Sequence, residues 1–270
     1  MNRTWTWLRR ITEGVVMAIF LATLTGWRGV TGDLSSSRVF GLTLADPLAV
    51  LQIILAQHRI LPVLLPAAGL VLLVYWISGG RTFCGWICPI NILLEGVDAL
   101  RIRFHLPDIN LGVFTKYWIL IIVLAVSVLT GIPAFEMISP IGILMRNLLY
   151  GFGWSFLGIG ILIGFEMTMS RRGFCRYLCP LGAFYGLMAR ISPLQLRFDT
   201  TRCIQCGKCE AVCPMGDAPL KLALSGQATT INGAECLKCM HCLEVCPTKT
   251  ISLEFGRFGT MDSAKRHLKI

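Results

Sequence analysis

The placement of the cysteines constrains this chain more than any other feature. All 12 cysteines of the 270 residues fall into four runs, and each run ends in Cys-Pro. Two runs have the short spacing Cys-x3-Cys-Pro, and two have the long spacing Cys-x2-Cys-x2-Cys-x3-Cys-Pro. The long spacing is the one that binds [4Fe-4S] clusters. The sequence therefore predicts an iron-sulfur protein, with electron transfer as the leading hypothesis.

The two long runs predict two clusters. In two-cluster bacterial ferredoxins the fourth cysteine of each run binds the cluster of the other run. That pattern predicts one cluster on Cys203, Cys206, Cys209 and Cys246, and a second on Cys236, Cys239, Cys242 and Cys213. Zinc is the alternative, because the first two cysteines of each run match a zinc-ribbon pair. It leaves two cysteines of each run without a role.

Composition predicts a membrane protein. Hydrophobic residues make up 54% of the chain and charged residues 15%, and the mean hydropathy is +0.66, which is unusual for a soluble domain. Four segments have roughly the length and apolar character of spanning helices; they are Ile11–Trp27, Ile60–Ser78, Tyr117–Glu136 and Gly151–Met169. The first also resembles a signal peptide, but no small-x-small cleavage site follows it, so an uncleaved helix is predicted.

Charge predicts the orientation. Lysine and arginine concentrate before the first segment, between the second and third, and after the fourth, which predicts that both termini and the C-terminal cysteine-rich part lie in the cytoplasm. The net charge of +10 fits contact with anionic membrane lipid and needs no nucleic acid.

An internal repeat organises the apolar part. The distance from Pro47 to Cys84 is 37 residues (84 minus 47), and that from Pro140 to Cys175 is 35 (175 minus 140). Each copy predicts a spanning helix, a Pro-led segment, a second spanning helix and a Cys-x3-Cys-Pro run. The Pro-led segments are interpreted as half-helices or as amphipathic helices on the outer surface.

The predicted fold is thus a polytopic α-helical membrane protein, with four transmembrane helices in two parallel repeats over residues 1–193. A C-terminal α+β double [4Fe-4S] ferredoxin domain follows at 194–270. In it, alternating residues at Leu194–Phe198 and Ile251–Phe255 predict two strands that bracket the long runs.

The short runs predict a third site. Residues four apart share a helical face, so each run presents two sulfurs in one direction. Two such pairs on one face predict a shared metal site, with iron-sulfur as the favoured group and zinc as a substitute; the ligands would be Cys84, Cys88, Cys175 and Cys179. A thiol switch and plain packing of small side chains stay open as alternatives.

The four spans, two Phe-Cys-x3-Cys-Pro elements and double ferredoxin motif resemble the NapH/MauN family, whose core is related to those of NosR and CcoG. The stretch Gly32–Ser37, followed by Asp46-Pro47-Leu48, adds to the match. The resemblance implies an electron-transfer subunit of a quinol dehydrogenase in a bacterial inner membrane. It implies a periplasmic polyferredoxin partner similar to NapG, contacts with other Nap proteins, and electron flow from quinol toward periplasmic nitrate reductase.

Quinol oxidation releases protons as well as electrons, so its site needs acid or base groups beside an apolar slot. The candidates on the outer side are Asp46, His58, Glu136 and Arg146, with Glu95 and Glu166 near the inner side. Each also has a plain interpretation as a helix cap or an interfacial charge. Two other function classes stay open: metal handling or cofactor maturation through the short-run thiols, and a redox sensor.

Overall fold

The computed structural model describes residues 4–22, 30–32, 36–39, 42–59, 61–104, 106, 108–109, 112–150, 153, 156–231 and 233–256. Parts of the first, second and fourth predicted spans lie outside these ranges, as do Asp33–Ser35 of the family-like stretch and the last 14 residues of the predicted ferredoxin domain, 257–270.

Short helices dominate the first 190 residues, and short strands frame the cysteine-rich remainder. The helices are α1 (Thr4–Ala22), α2 (Pro47–Gln57), α3 (Leu64–Ser78), α4 (Thr82–Trp86), α5 (Pro89–Phe104), α6 (Thr115–Thr130), α7 (Ala134–Ile138), α8 (Pro140–Tyr150), α9 (Phe156–Thr168), α10 (Pro180–Arg190), α11 (Lys208–Ala211), α12 (Lys221–Leu224) and α13 (His241–Val245). The strands are β1 (Val30–Gly32), β2 (Ser36–Val39), β3 (Leu42–Ala45), β4 (Leu194–Phe198) and β5 (Ile251–Phe255). A π-helical turn covers Phe174–Leu178, and a 3-10 turn covers Thr200–Arg202.

The chain forms two compact units, and neither is continuous in sequence. The helical unit comprises Ile11–Val74 and Trp86–Phe184, and the ferredoxin-bearing unit comprises Met1–Arg10, Tyr75–Gly85 and Tyr185–Ile270. The ferredoxin-bearing unit thus includes two segments that lie far before residue 193 in the sequence, Met1–Arg10 and Tyr75–Gly85. The division of the chain into domains 1–193 and 194–270 stays a prediction.

Proline starts the recurring helices of both copies of the repeat. It begins α2 and α8, and it also begins α5 and α10, directly after the second cysteine of each short run. Proline suits the first helical turn because its missing N–H has no partner there in any case. Asp46 caps α2, since its carboxylate accepts a hydrogen bond of 3.4 Å from the Ala49 N–H.

The helical unit has an antiparallel meander of β1, β2 and β3 between α1 and α2. α2 packs against α6 and α7, while α8 and α5 pack against α9. One apolar cluster joins Ala45 and Val50 to Ala67 and Ala68. A polar contact joins α2 to α7. The fully buried Gln52 of α2 accepts a 3.0 Å hydrogen bond from the Phe135 N–H of α7.

The prediction of a polytopic membrane protein is wrong for the described part of the chain. None of the helices in the described ranges is both long and apolar enough to cross a bilayer. A spanning helix needs about 20 apolar residues, whereas α3 has 15, α6 has 16 and α9 has 13. α1 has 19 residues but contains Arg9, Arg10 and Glu13. The predicted orientation depended on these spans and loses that support.

Helix ends explain why hydropathy overestimated the length of the helices. α6 ends at Thr130, and the following Gly131 adopts a left-handed φ of 70° and donates its N–H to the Ser127 carbonyl. Glycine commonly ends helices in this way because it lacks a Cβ. The apolar run continues past that point to Glu136, so the composition of the segment did not show where its helix ends.

The ferredoxin-bearing unit is built around the antiparallel pair of β4 and β5, which pairs Leu194 with Phe255 and Phe198 with Ile251. The two strands predicted to bracket the long runs are therefore confirmed. Leu196 and Phe198 are buried, and the Ile231 N–H donates to the Leu196 carbonyl at 2.9 Å. This pairing brings the chain before the first long run next to the chain after the second.

Candidate iron-sulfur sites

The two long runs fold into the same backbone shape, 33 residues apart (236 minus 203). We call residues Cys203–Cys209 the outer loop and residues Cys236–Cys242 the inner loop. Left-handed φ angles recur at equivalent positions, with 51° at Gln205 and 54° at Lys238, then 68° at Gly207 and 62° at Met240. Such angles are uncommon outside glycine. Their repetition at non-glycine residues indicates that the geometry of the loop is required.

A short helix follows in both copies. Cys209 lies in α11 and Cys242 lies in α13. After the fourth cysteine the left-handed geometry recurs again, with φ of 65° at Gly216 and 50° at Lys249. The proline after that cysteine prevents the helix from continuing, and the chain turns away. The two runs therefore repeat the same sequence of backbone turns.

Two cavities lie beside these loops, and each is lined by four cysteines. One cavity is lined by Cys203, Cys206, Cys209 and Cys246. The second is lined by Cys236, Cys239, Cys242 and Cys213. We call them the outer site and the inner site. The structure thus brings together both predicted sets, with the fourth cysteine supplied by the other run in each case.

Backbone amides point at several of these sulfurs. The Gln205 N–H donates to Cys203 Sγ, and the equivalent Lys238 N–H donates to Cys236 Sγ, both at 3.4 Å. Hydrogen bonds to the sulfurs and the degree of solvent exposure set the reduction potential of an iron-sulfur cluster. The loop conformation therefore does more than space the cysteines, because it also supplies donors that stabilise thiolate charge.

The thiols of the inner site are crowded, with Cys239 buried and the other three partly exposed. Burial raises the pKa of Cys242 well above its usual range, and the nearby sulfurs of Cys236 and Cys239 raise it further. Such thiols ionise readily only when a cation compensates the charge, as iron does in a cluster.

The outer site holds the more easily ionised thiol. Burial opposes the ionisation of Cys246, but hydrogen bonds from Thr250 and Thr248 outweigh it and lower the pKa of that thiol.

The donor set fits a [4Fe-4S] cluster. Within the described ranges, no group of three or more His, Cys, Asp or Glu side chains is placed to hold a single metal ion. A [4Fe-4S] cluster is held by four cysteine thiolates. Four cysteines around each cavity, with amide donors to their sulfurs, provide that set.

The short runs differ from their predicted geometry. Cys84 lies in α4, but α4 ends at Trp86, and Cys88 stands outside any helix immediately before Pro89. Cys175 lies in the π-helical turn, and Cys179 is extended with ψ of 111° before Pro180. The prediction that each pair shares one continuous helix is therefore wrong, because a residue that precedes proline is pushed toward extended conformations.

Cys84 belongs to the ferredoxin-bearing unit, whereas Cys88, Cys175 and Cys179 belong to the helical unit. Within the helical unit, burial raises the pKa of Cys175 well above its usual range, and the neighbouring Cys179 and Cys88 raise it further. The Gly182 N–H donates to Cys179 Sγ at 3.4 Å. The shared metal site of the four short-run cysteines stays a prediction.

Sequence reasoning missed a pair of buried arginines. Arg81 and Arg172 each lie three residues before the first cysteine of a short run, and they are 0% and 2% exposed. Arg172 forms a 2.7 Å ion pair with Asp98 and also donates to the side chain of Asn91. Arg81 donates to the Ala234 carbonyl at 3.1 Å, with Glu235 at 3.8 Å. The signal was present in the repeated Arg-x-Phe-Cys motif.

A buried carboxylate contacts the backbone just before the second short run. Glu166 is 1% exposed and accepts hydrogen bonds from the N–H groups of Gly173 at 2.9 Å and Phe174 at 2.7 Å. Burial raises its pKa to about 7, although these two N–H groups act in the opposite direction. It therefore holds the turn that carries Cys175.

The four outer candidates for a quinol site are all partly or fully exposed. Asp46 caps α2, and His58 ends α2 in a left-handed conformation and is exposed. Glu136 is half-buried in α7, and its carbonyl accepts a 3.4 Å hydrogen bond from the exposed Arg146. The hydrogen bond that Asp46 accepts from the Ala49 N–H is the one expected of a helix cap. A quinol site at these residues stays a prediction.

Comparisons with known proteins identify the family. A family model described as a 4Fe-4S dicluster domain matches residues 195–247, and one described as a 4Fe-4S binding domain matches residues 60–107 and 150–198. The methylamine utilization ferredoxin-type protein MauN of Methylorubrum extorquens is 34% identical over 84% of this chain and 80% of its own length. The ferredoxin-type protein NapH of Escherichia coli is 33% identical over 79% of this chain and 76% of its own. This chain belongs to the NapH/MauN family.

Membership confirms the resemblance and the coarse function. The chain is an iron-sulfur electron-transfer protein, and the two matched ranges contain the long runs and the short runs respectively. The putative electron transport protein YccM of Escherichia coli is 33% identical over 55% of this chain and 46% of its own length. No solved structure is significantly similar to the chain.

Proposed function

We propose that this protein is the electron-transfer subunit of a quinol dehydrogenase that passes electrons toward periplasmic nitrate reductase, with a polyferredoxin similar to NapG as its partner. The observation that carries the proposal is the pair of four-cysteine cavities in one unit. Two clusters held in one unit form a short relay, and a relay is what a subunit between a donor and an acceptor needs.

The residues of the two sites have distinct tasks in this proposal. A bound [4Fe-4S] cluster takes up and releases one electron at a time. The cysteines of the inner and outer sites would hold the two clusters, and the amides of Gln205 and Lys238 would stabilise the sulfur charge. Leu196, Ile231 and Leu237 line the inner site and reduce the access of water to it, which shifts the reduction potential.

Similarity to NapH supports nitrate reduction as the destination. Similarity to MauN supports a second candidate, in which the same relay carries electrons for methylamine utilization, because two relatives of that name are 34% and 35% identical. Metal handling or redox sensing through the short-run thiols is a further alternative.

Reduction by a quinol analogue tests the proposal. Purified protein with its clusters restored is mixed with a reduced short-chain quinol, and the clusters are followed by electron paramagnetic resonance. We expect reduction within the mixing experiment, with and without the polyferredoxin partner. Full reduction by dithionite but none by the quinol would refute the quinol proposal, while the electron-transfer function would stand.

Iron content separates the alternatives for the short runs. Two clusters require about 8 iron atoms per chain, a third [4Fe-4S] cluster raises this to about 12, and a [2Fe-2S] cluster to about 10. Substituting serine for Cys84 and Cys175 should remove only the excess. Copper bound by these thiols, without quinol reactivity, would favour metal handling.

The same assay tests the candidate quinol residues. Asp46→Asn and Glu136→Gln should slow reduction by quinol and leave reduction by dithionite unchanged, because a neutral amide does not accept the quinol proton. An unchanged quinol rate in both variants would remove these residues from the site.

A further inference from the structure

The two cysteine loops share one backbone shape but differ in how much of each is covered. Ile204 of the outer loop is 63% exposed, whereas its equivalent Leu237 in the inner loop is 3% exposed. Cys206 is exposed, and its equivalent Cys239 is buried. The same contrast holds for Gln205 and Gly207, which are exposed, against Lys238 and Met240, which are buried.

A segment of the same unit covers the inner loop. The residues are Gly79 to Gly85, and they approach so closely that a Cβ placed on Gly85 would lie 2.4 Å from the Leu237 carbonyl oxygen. A Cβ on Gly79 would lie 3.0 Å from the side chain of Lys238. Arg81 fixes the segment through its hydrogen bond to the Ala234 carbonyl.

An isolated exposed apolar residue is ordinary on a protein surface. Ile204 is different because it stands on a cysteine loop beside an exposed cysteine, and because the equivalent position in the other loop is buried. Electron transfer between proteins becomes faster as the two redox centres approach, so the exposed edge of a cluster is where an acceptor or donor gains most by docking. Docking of redox partners is typically transient and buries a small area.

Given the proposed clusters, we infer that the outer loop is the port through which this protein exchanges electrons with its partner, and that Ile204, Gln205 and Cys206 form the contact surface. The partner that fits is a protein with its own one-electron centre near its surface. It covers the outer loop from outside the chain, as the Gly79–Gly85 segment covers the inner loop from within. In the inner loop the equivalent residues Leu237, Lys238 and Cys239 are all buried.

The test measures electron transfer to a protein acceptor. Protein with restored clusters is reduced with dithionite, freed of the excess, and mixed with oxidised cytochrome c in a stopped-flow instrument. Ile204→Lys places a positive charge on the proposed surface and repels this basic acceptor. Ile191→Lys is the matched control, because Ile191 is 60% exposed and lies in the same unit.

We expect Ile204→Lys to lower the second-order rate by about threefold or more, and Ile191→Lys to stay near the wild-type rate, since charges at a contact surface act mainly on association. Iron content and the resonance spectrum of each variant show whether its clusters are intact. If Ile204→Lys loses iron, Gln205→Lys replaces it, because Lys238 already occupies the equivalent position with nearly the same φ.

Equal rates for the two lysine variants, with intact clusters, would overturn the port while leaving quinol reduction and the two clusters untouched. Wild-type protein that holds no cluster in either site would overturn the proposed function and the port together. A second copy of the chain is the competing occupant of this surface. Sedimentation that shows a wild-type dimer dissociated by Ile204→Lys would assign the surface to self-association and refute the port.

Discussion

Gly85→Ala tests whether the Gly79–Gly85 segment rests as closely on the inner loop as the structure shows. The added Cβ would lie 2.4 Å from the Leu237 carbonyl oxygen, and contacts under 3.0 Å essentially never occur for a real Cβ. The oxygen and the helix must therefore separate by at least 0.6 Å (3.0 minus 2.4). Leu237 lies between Cys236 and Cys239, so its backbone has little freedom to retreat when both cysteines are bound.

The cost follows from that forced displacement. Overpacking of this kind lowers the free energy of unfolding by about 1–3 kcal/mol. Gly96→Ala is the matched control, because Gly96 also lies inside a helix, α5, and nothing would approach its Cβ within 4 Å. Replacing an unconstrained helical glycine with alanine stabilises by about 0.5–1 kcal/mol. The two variants should therefore shift stability in opposite directions.

Iron release reports the result directly. Each protein is titrated with urea in the presence of an iron chelator, and the urea concentration at half release is compared with that of the wild type. Gly85→Ala should release iron at lower urea and alter the resonance spectrum of one cluster, whereas Gly96→Ala should do neither. If Gly85→Ala retains its iron as well as Gly96→Ala does, the close approach is not a constraint on the inner loop and the reasoning fails.

Two further predictions concern the helical unit. Arg172→Met leaves Asp98 buried without its ion pair and should lower the free energy of unfolding, measured by thermal denaturation, by about 3–5 kcal/mol. The double variant Arg172→Met with Asp98→Leu should recover much of this loss. No recovery in the double variant would contradict the ion-pair account. The pKa of Glu166 is raised from 4.5 to about 7, so its protonation stabilises the fold fully below about pH 4.5, and that stability is lost as the pH rises through 7. Between pH 5 and pH 8 the free energy of unfolding, measured by urea titration, should fall by up to about 3 kcal/mol. Glu166→Gln should make the free energy of unfolding depend less on pH. An equal pH dependence in both proteins would assign it to other groups.

Local sequence signals predicted local structure well. The spacing of the long runs predicted which cysteines would meet, because loops of fixed length impose their own geometry. Proline at positions 47 and 140 marked the starts of α2 and α8, since its fixed φ suits the first helical turn. Alternating residues marked β4 and β5, because one face of a half-buried strand must be apolar.

Properties that depend on the whole chain were not predictable in this way. Hydropathy does not record where a helix ends, so the apolar run through Gly131 was interpreted as one long helix. The buried charges of Arg172 and Lys238 were missed, because a lysine or arginine in a sequence is usually a surface residue. Partners such as Asp98 and the Leu194 carbonyl make burial tolerable, and those partners lie far away in sequence.

The contact between Thr6 and Glu244 has a consequence for biosynthesis. The Glu244 carboxylate accepts a 3.0 Å hydrogen bond from the Thr6 N–H and a second from its hydroxyl, so it satisfies the first turn of α1 from 238 positions along the chain. A ribosome adds 238 residues after Thr6 before Glu244 exists, and contacts this distant in sequence form slowly. The first turn of α1 therefore lacks this partner throughout the synthesis of both short runs and of the first long run.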